Sequence, residues 1–127
     1  FTKNTSEGIS FVANGLHWQT GDNVVITNVE FPANIYPWQA LRSQGVQVRM
    51  VLEEDGRIPI ERVMEAVNTR TRVVSISSVQ FASGYRTDLA TLGEFCQEKG
   101  VFFCVDAIQS LGALPVGPVL VLRPMKD

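Results

Sequence analysis

Three groups of residues in this chain have side chains that could bind a small molecule or act on it. Asp106 comes directly after a five-residue apolar run, and Gln109 follows shortly after Asp106. Thr5 and Ser6 stand at the start of a predicted helix, and Phe31 follows the end of a predicted strand. A carboxylate can hold a protonated ring nitrogen, hydroxyls at a helix start can hold a phosphate, and an aromatic ring can stack on a flat ligand.

The apolar run at residues 101–105 gives the strongest structural signal. It has no polar break, which is typical of a strand buried on both faces inside a parallel sheet. Ligands of open α/β sheets bind beyond the carboxyl ends of such strands, so Asp106 is predicted to lie at the binding edge. An isolated buried carboxylate is unfavourable, and we therefore expect a cationic or hydrogen-bonding partner for it.

Strand-like and helix-like segments alternate along the chain. Asn4, with Glu7 three residues later, predicts the start of the first helix, and Gly45 and Gly100 predict two later helix ends. This order predicts an α/β fold with a mostly parallel sheet flanked by helices. The predicted strands are residues 23–27, 46–52, 73–79 and 101–105, and the predicted later helices lie at 38–43, around 60–67, and from Thr87 or Asp88 to Gly100.

Each candidate residue also has an ordinary structural interpretation. Thr5 and Ser6 could simply cap a helix, and Asp106 could cap a helix that follows its strand. Phe31 could be a core or lid residue. Taken together, however, these residues fit a binding site for pyridoxal phosphate (PLP). They would provide a phosphate-binding helix start, a stacking aromatic ring and a carboxylate for a ring nitrogen.

Composition and charge narrow the function classes. The chain has 127 residues, 45% of them hydrophobic, and a net charge of −2, which predicts one globular domain without a nucleic-acid or anionic-membrane surface. Cys96 and Cys104 lie in apolar patterns and are interpreted as small buried hydrophobes. No metal-ligand spacing, signal peptide or membrane-spanning run is visible, so we predict a cytoplasmic protein without a metal.

Four short blocks resemble the large domain of class V aminotransferases, a group that includes cysteine desulfurases, kynureninases and isopenicillin N epimerase-like enzymes. The blocks are residues 5–9, 21–25, 30–34 and 105–110, in the same order. The resemblance covers residues 1–116 and implies a partial PLP-binding large domain of fold type I, a three-layer α/β fragment. Residues 117–127 are expected to form a short strand or a tail.

The resemblance implies a role for each matching residue. Thr5 and Ser6 match the hydroxyl pair that holds the cofactor phosphate. Asp106 matches the carboxylate that pairs with the pyridine nitrogen, and Gln109 matches the amide near the ring hydroxyl. Phe31 stands where desulfurases carry a stacking histidine. The aromatic ring is more similar to the epimerase-like branch, and loss of the imidazole removes an acid/base group that desulfurase chemistry could use.

Two further positions depart from the family pattern. Phe81 stands near a position where desulfurases carry an asparagine. The family's aldimine lysine, which follows a Ser/Gly-His-Lys motif, has no counterpart among Lys3, Lys99 and Lys126. A lysine amine forms the Schiff base and moves the α-proton, whereas the pyridinium serves only as the electron sink. We therefore assign no catalytic residue and expect this chain by itself to be inactive.

The sequence thus predicts part of a PLP-dependent enzyme that acts on a small amino acid. The resemblance implies that the parent enzyme catalyses transamination, epimerisation or desulfuration as a homodimer, and we predict neither nucleic-acid nor membrane partners. The alternative is a non-catalytic α/β module that self-associates through open apolar surfaces. A flavodoxin-like or nucleotide-binding domain is a weaker third hypothesis, because the chain has neither a G-x-G-x-x-G nor a Walker A motif.

Overall fold

The computed structural model describes residues 2–115, which form a four-stranded sheet between two layers of helices. All strands are parallel, in the order β2-β1-β3-β4, so the predicted three-layer α/β architecture is confirmed. The strands are β1 (Asn23–Thr27), β2 (Gln47–Val51), β3 (Thr71–Ser77) and β4 (Phe102–Asp106); the helices are α1 (Thr5–Gly15), α2 (Tyr36–Ala40), α3 (Ile60–Ala66) and α4 (Leu89–Lys99), with 3₁₀ turns at Pro32–Asn34 and Leu41–Gln44.

Local capping explains where the two longest helices begin. The Asn4 side chain accepts the Glu7 N–H at 2.9 Å, as the spacing predicted. The Glu7 carboxylate reaches back to the Lys3 N–H at 2.6 Å, one residue outside the usual capping box. Asp88 caps α4 in the same way by accepting the Thr91 N–H at 3.1 Å. Each cap satisfies a backbone donor that has no partner within the helix.

The alternation of side chains along the strands divides the apolar residues between two cores. Helices α1 and α2 cover one face of the sheet, and α3 and α4 cover the other. The α1-side core contains Ile9, Ala13, Val24, Ile26, Trp38, Leu41, Val46 and Val73. The α4-side core contains Val25, Val51, Ile58, Val63, Val74, Ile76, Leu92 and Cys96.

Three predicted elements differ from the observed ones. Strand β4 was predicted to be buried on both faces, but within residues 2–115 it pairs only with β3, and residues 102–105 are half-buried. Strand β3 ends at Ser77 rather than at 79, because Val79 turns to form an isolated bridge with Arg86. Helix α2 begins at Tyr36 because Pro37 fits its first turn.

Several other sequence-based predictions can be placed on this fold. Cys96 is buried in the α4-side core, and burial raises the pKa of its thiol to about 12, whereas Cys104 is half-buried. Within residues 2–115, no helix is long and apolar enough to cross a membrane, and no three potential metal-ligating side chains come together. The strand or tail predicted at 117–127 lies outside the described residues.

Candidate functional site

The carboxyl ends of the four parallel strands meet at one edge of the sheet, and the candidate residues are placed relative to this carboxyl edge. Strands β3 and β4 finish in register, with Ser77 opposite Asp106. The next residue, Ser78, donates its N–H to the Asp106 carbonyl at 2.9 Å. The sheet therefore holds the backbone of Asp106 firmly at the edge where α/β folds bind ligands.

Asp106 is a buried residue, and one of its two carboxylate oxygens has no hydrogen-bond partner among the described residues. Its side chain extends from the sheet face that carries Phe102 and Cys104, which pack against the α1-side core. The residue is only 5% exposed. Among the described residues its one side-chain hydrogen bond comes from the Ile108 N–H to Oδ1, at 3.1 Å. No described Lys or Arg forms an ion pair with it.

The environment of Asp106 at this edge raises the pKa of its carboxyl. Burial raises the pKa of its carboxyl above the ordinary value of 3.8, the Ile108 N–H opposes the shift, and the charge of Glu30 adds to it. A cationic donor placed against the free oxygen would reverse this effect. No helix follows Asp106 within residues 2–115, so the interpretation of this residue as a helix N-cap is wrong.

A second carboxylate, that of Glu30, is buried at the same edge and fully hydrogen-bonded. Its Oε1 accepts the Thr27 hydroxyl and the Gln80 Nε2, both at 2.9 Å. Its Oε2 accepts the Ser77 hydroxyl at 2.5 Å and the Asn34 Nδ2 at 2.9 Å, and the Ser77 N–H lies 3.0–3.1 Å from both oxygens. These contacts, called here the Glu30 network, join the ends of β1 and β3.

Asn34 extends the Glu30 network into the α1-side core. Its Oδ1 accepts the indole N–H of Trp38 at 3.1 Å and the Ser75 hydroxyl at 2.6 Å. Sequence reasoning placed Glu30 and Asn34 only inside a motif and gave neither a role. The available signal was the set of hydroxyls at Thr27, Ser75 and Ser77 within otherwise apolar strands, since buried hydroxyls require partners.

Phe31 directly follows Glu30 and lies on the surface of the carboxyl edge. It is 45% exposed, so it is not a core residue. Its ring contacts that of Phe81 edge to face, with ring centroids 5.1 Å apart and an interplanar angle of 66°. A ring that contacts one neighbour in this way keeps a second face for stacking on a flat ligand.

The start of α1 lies toward the same edge. A helix that leads through a short connection into a parallel strand runs back along the sheet, and α1 packs against the turn Pro32–Asn34. Thr5 is half-buried and Ser6 is exposed. Within residues 2–115 the Ser6 N–H has no hydrogen-bond acceptor. A free N–H, two hydroxyls and the positive end of the helix dipole suit a phosphate.

Gln109 lies on the surface, apart from the hydrogen-bonded part of the carboxyl edge. It is exposed in a turn after β4, where the Ser110 and Leu111 N–H groups both donate to the Ala107 carbonyl. Its side chain makes no hydrogen bond with other described residues. The structure therefore brings Thr5, Ser6, Phe31 and Asp106 to one edge and leaves Gln109 on the adjoining surface.

Comparison with known proteins agrees with this architecture. Residues 1–118 match the profile of the family described as aminotransferase class-V. The chain belongs to this family. A probable cysteine desulfurase of Methanothermobacter thermautotrophicus is 41% identical over 117 residues, which cover 91% of this chain and 29% of the relative. The chain thus spans less than a third of the length of this curated relative.

Solved structures show the same fold. The complex of the cystine C-S lyase C-DES with its reaction product cysteine persulfide superposes with a TM-score of 0.81 at 27% identity, covering 91% of this chain and 32% of that one. A mutant of C-DES with glycine covalently linked to the PLP cofactor gives a TM-score of 0.78 at 26% identity, with the same coverage. The resemblance to class V aminotransferases and the fold type I assignment are confirmed.

The Glu30→Gln variant tests the Glu30 network. An amide has only one acceptor oxygen, so the substitution leaves a donor group facing buried donors such as the Asn34 Nδ2 and the Ser77 N–H. We expect the free energy of unfolding to fall by about 2–4 kcal/mol. Glu54→Gln is the matched control, because Glu54 pairs with Arg62 at the surface and its loss should change stability by less than about 0.5 kcal/mol. If urea denaturation shows equal losses of stability for Glu30→Gln and Glu54→Gln, the structural role assigned to the Glu30 network is wrong.

The Asp106→Asn variant tests the electrostatics of the carboxyl edge. Because folding raises the Asp106 pKa above 3.8, the protonated carboxyl contributes stability that is present below 3.8 and is lost as pH rises through the folded pKa. Asparagine does not titrate, so the variant should gain stability relative to the wild type as pH is raised from about 4 to about 7. Urea denaturation at several pH values measures this difference, with the exposed Asp55→Asn as control. Parallel stability curves for wild type and Asp106→Asn would refute the expectation.

Proposed function

We propose that this chain forms the cofactor-binding part of a PLP-dependent enzyme of the aminotransferase class-V family. The observation that carries the proposal is Asp106, a carboxylate that is 5% exposed at the end of β4 and has no cationic partner among the described residues. Burying an unpaired carboxylate is unfavourable, and carboxylates in such environments cluster at functional sites. The protonated pyridine nitrogen of PLP is a cationic donor of the required kind.

The other residues at the carboxyl edge fit the remaining parts of the cofactor. Thr5 and Ser6 offer hydroxyls and a free N–H for the phosphate. Phe31 offers a ring face for stacking, and Gln109 offers an amide for the ring hydroxyl. When it is bound, the protonated ring supplies an electron sink for bonds at the α-carbon of an amino acid. Asp106 keeps the proton on that ring nitrogen.

For the whole protein, we propose action on a small amino acid by transamination, epimerisation or desulfuration. The relatives named cysteine desulfurases support the amino-acid substrate. Phe31 has no titratable group, so the stacking residue cannot act as an acid or base there. This favours a reaction in which proton transfer depends on other groups. A cytoplasmic location stays a prediction.

We further propose that the 127-residue chain binds the cofactor without turning over substrate. Lys99 lies just before β4 at the opposite edge of the sheet, over the ring of Phe95 at 5.7 Å. Lys3 is exposed and precedes α1, and Lys126 lies outside the described residues. Neither of the described lysines stands in the family's Ser/Gly-His-Lys motif. Without a lysine at the cofactor, the group that moves the α-proton is missing.

Binding of 4′-deoxypyridoxine 5′-phosphate tests the proposal directly. This analogue keeps the ring, the hydroxyl and the phosphate but lacks the aldehyde, so it cannot react with surface lysines. Calorimetry should show binding by the wild-type chain, and Asp106→Asn should raise the dissociation constant by roughly 10-fold or more, because a charge-assisted hydrogen bond is lost. With PLP itself and cysteine or alanine, product release should not exceed that of free PLP.

Asp55→Asn is the matched control for this experiment. It removes the same charge from an exposed turn residue after β2, where asparagine tolerates the positive φ of 49°. The dissociation constant of Asp55→Asn for the analogue should equal that of the wild type. An unchanged affinity in Asp106→Asn, or no binding by the wild type, would overturn the proposal.

We also propose that the chain associates with a second copy, as expected both for a homodimeric parent and for a self-associating module. Exposed apolar side chains follow β4, with Ile108 68% and Leu111 74% exposed. Exposed apolar side chains of this kind favour protein contacts.

Light scattering over a range of protein concentrations measures this association. The mass should rise with concentration for the wild type, and the double variant Ile108→Ser/Leu111→Ser should shift toward monomer. Phe11→Ser, at a residue 63% exposed on α1, is the control. A wild type that stays monomeric at every concentration would contradict self-association.

A further inference from the structure

Two adjacent contacts join the loop after β1 to the turn after β3. Glu30 accepts a buried hydrogen bond from the Gln80 side chain at 2.9 Å. The next residue of each segment forms the exposed aromatic pair, in which Phe31 meets Phe81 edge to face. One contact is polar and buried, and the other is apolar and exposed. Together they form a clasp of two residues from each segment, Glu30–Phe31 against Gln80–Phe81.

The hydrogen bond between Gln80 and Glu30 leaves one atom of the Gln80 side chain without a partner among the described residues. Both carboxylate oxygens of Glu30 are acceptors, so the Gln80 amide must point its nitrogen toward them. The Gln80 Oε1 is then buried without a hydrogen-bond partner among the described residues, and the residue is 1% exposed. Buried polar atoms are rarely left in this state. The Gln80 side chain is thus held in one orientation by Glu30.

The turn that carries Phe81 is itself held by backbone hydrogen bonds. Gln80 donates its N–H to the Tyr85 carbonyl, and Gly84 donates its N–H to the Gln80 carbonyl, both at 2.9 Å. Phe81 therefore projects from a closed turn whose first residue is anchored to Glu30. Phe81 is 62% exposed and contributes little buried apolar surface, so core packing does not explain its position.

We propose that Phe81 is a positioning residue that holds the ring of Phe31 for stacking on the cofactor. This inference rests on the proposed function. Phe31 begins a short 3₁₀ turn and is 45% exposed, so its side chain has few neighbours that restrict it. Contact with Phe81 orders the Phe31 ring, and at least one face of that ring stays available. Asp106 and Phe81 thus act on different parts of the ligand, the first on its ring nitrogen and the second through Phe31 on its ring face.

The test compares Phe81→Ala with Phe11→Ala. Phe11 is a matched control because it is 63% exposed and lies outside the clasp. In the ligand-free chain, ¹³C relaxation of the Phe31 ring should show faster and wider motion in Phe81→Ala and no change in Phe11→Ala. Hydrogen exchange of the Asn34 N–H, which donates to the Phe31 carbonyl at 2.8 Å, should rise only in Phe81→Ala.

Binding of 4′-deoxypyridoxine 5′-phosphate gives the second readout. Aromatic pairs contribute enough that Phe81→Ala should raise the dissociation constant by roughly 2- to 12-fold, and Phe81→Tyr should restore it. Phe11→Ala should leave it unchanged. Urea denaturation should show a loss of at most about 1.5 kcal/mol in Phe81→Ala, because the aromatic pair with Phe31 is also present in the ligand-free chain.

The outcomes separate this inference from the proposed function. If the wild type does not bind the analogue, the proposed function fails, and the relaxation of the Phe31 ring alone decides whether Phe81 orders it. If the wild type binds and Phe81→Ala changes neither ring motion nor affinity, the positioning role is wrong. Faster ring motion together with weaker binding supports it.

Discussion

The buried carboxylate of Glu30 is the interaction on which the arrangement of the carboxyl edge depends. Five donor groups, from Thr27, Asn34, Ser77 and Gln80, surround its two oxygens, with Ser77 supplying both its N–H and its hydroxyl. A buried charge is tolerated only when its hydrogen-bonding capacity is filled in this way. Because the donors come from β1, the turn after it, β3 and the turn after β3, satisfying one charge also fixes four segments relative to one another.

The two carboxylates at this edge have opposite environments and therefore opposite roles. Glu30 is saturated with donors and acts as a structural centre. Asp106 has one backbone donor, and burial together with the charge of Glu30 raises its pKa. The saturated group gains nothing from a ligand, whereas the unsatisfied group gains a great deal from a cationic donor. A cationic donor is thus stabilised most at Asp106, which lies next to the segments that the Glu30 network holds in place.

Membership of the aminotransferase class-V family leaves open what the aromatic residues at this edge do. By resemblance, Phe31 stands where desulfurases carry a histidine, and Phe81 stands near a position where they carry an asparagine. Both replacements remove polar side chains, and the two rings contact each other. Aromatic side chains at these positions provide a ring for stacking but no acid/base group.

The sequence alone determined the elements and their order, because periodicity, caps and glycines act over a few residues. Asn4 and Gly100 predicted helix boundaries correctly, Thr87 and Asp88 were the alternatives for the start of α4, and the apolar runs predicted four strands in a mostly parallel sheet. It also singled out Asp106 at a strand end. Only the tertiary structure decided which polar residues meet across the edge. Glu30 contacts Ser77 and Gln80 from 47 and 50 residues away, and Phe31 reaches Phe81 from the same distant segment. Those contacts depend on strand order and register, which long-range packing sets and local patterns do not encode.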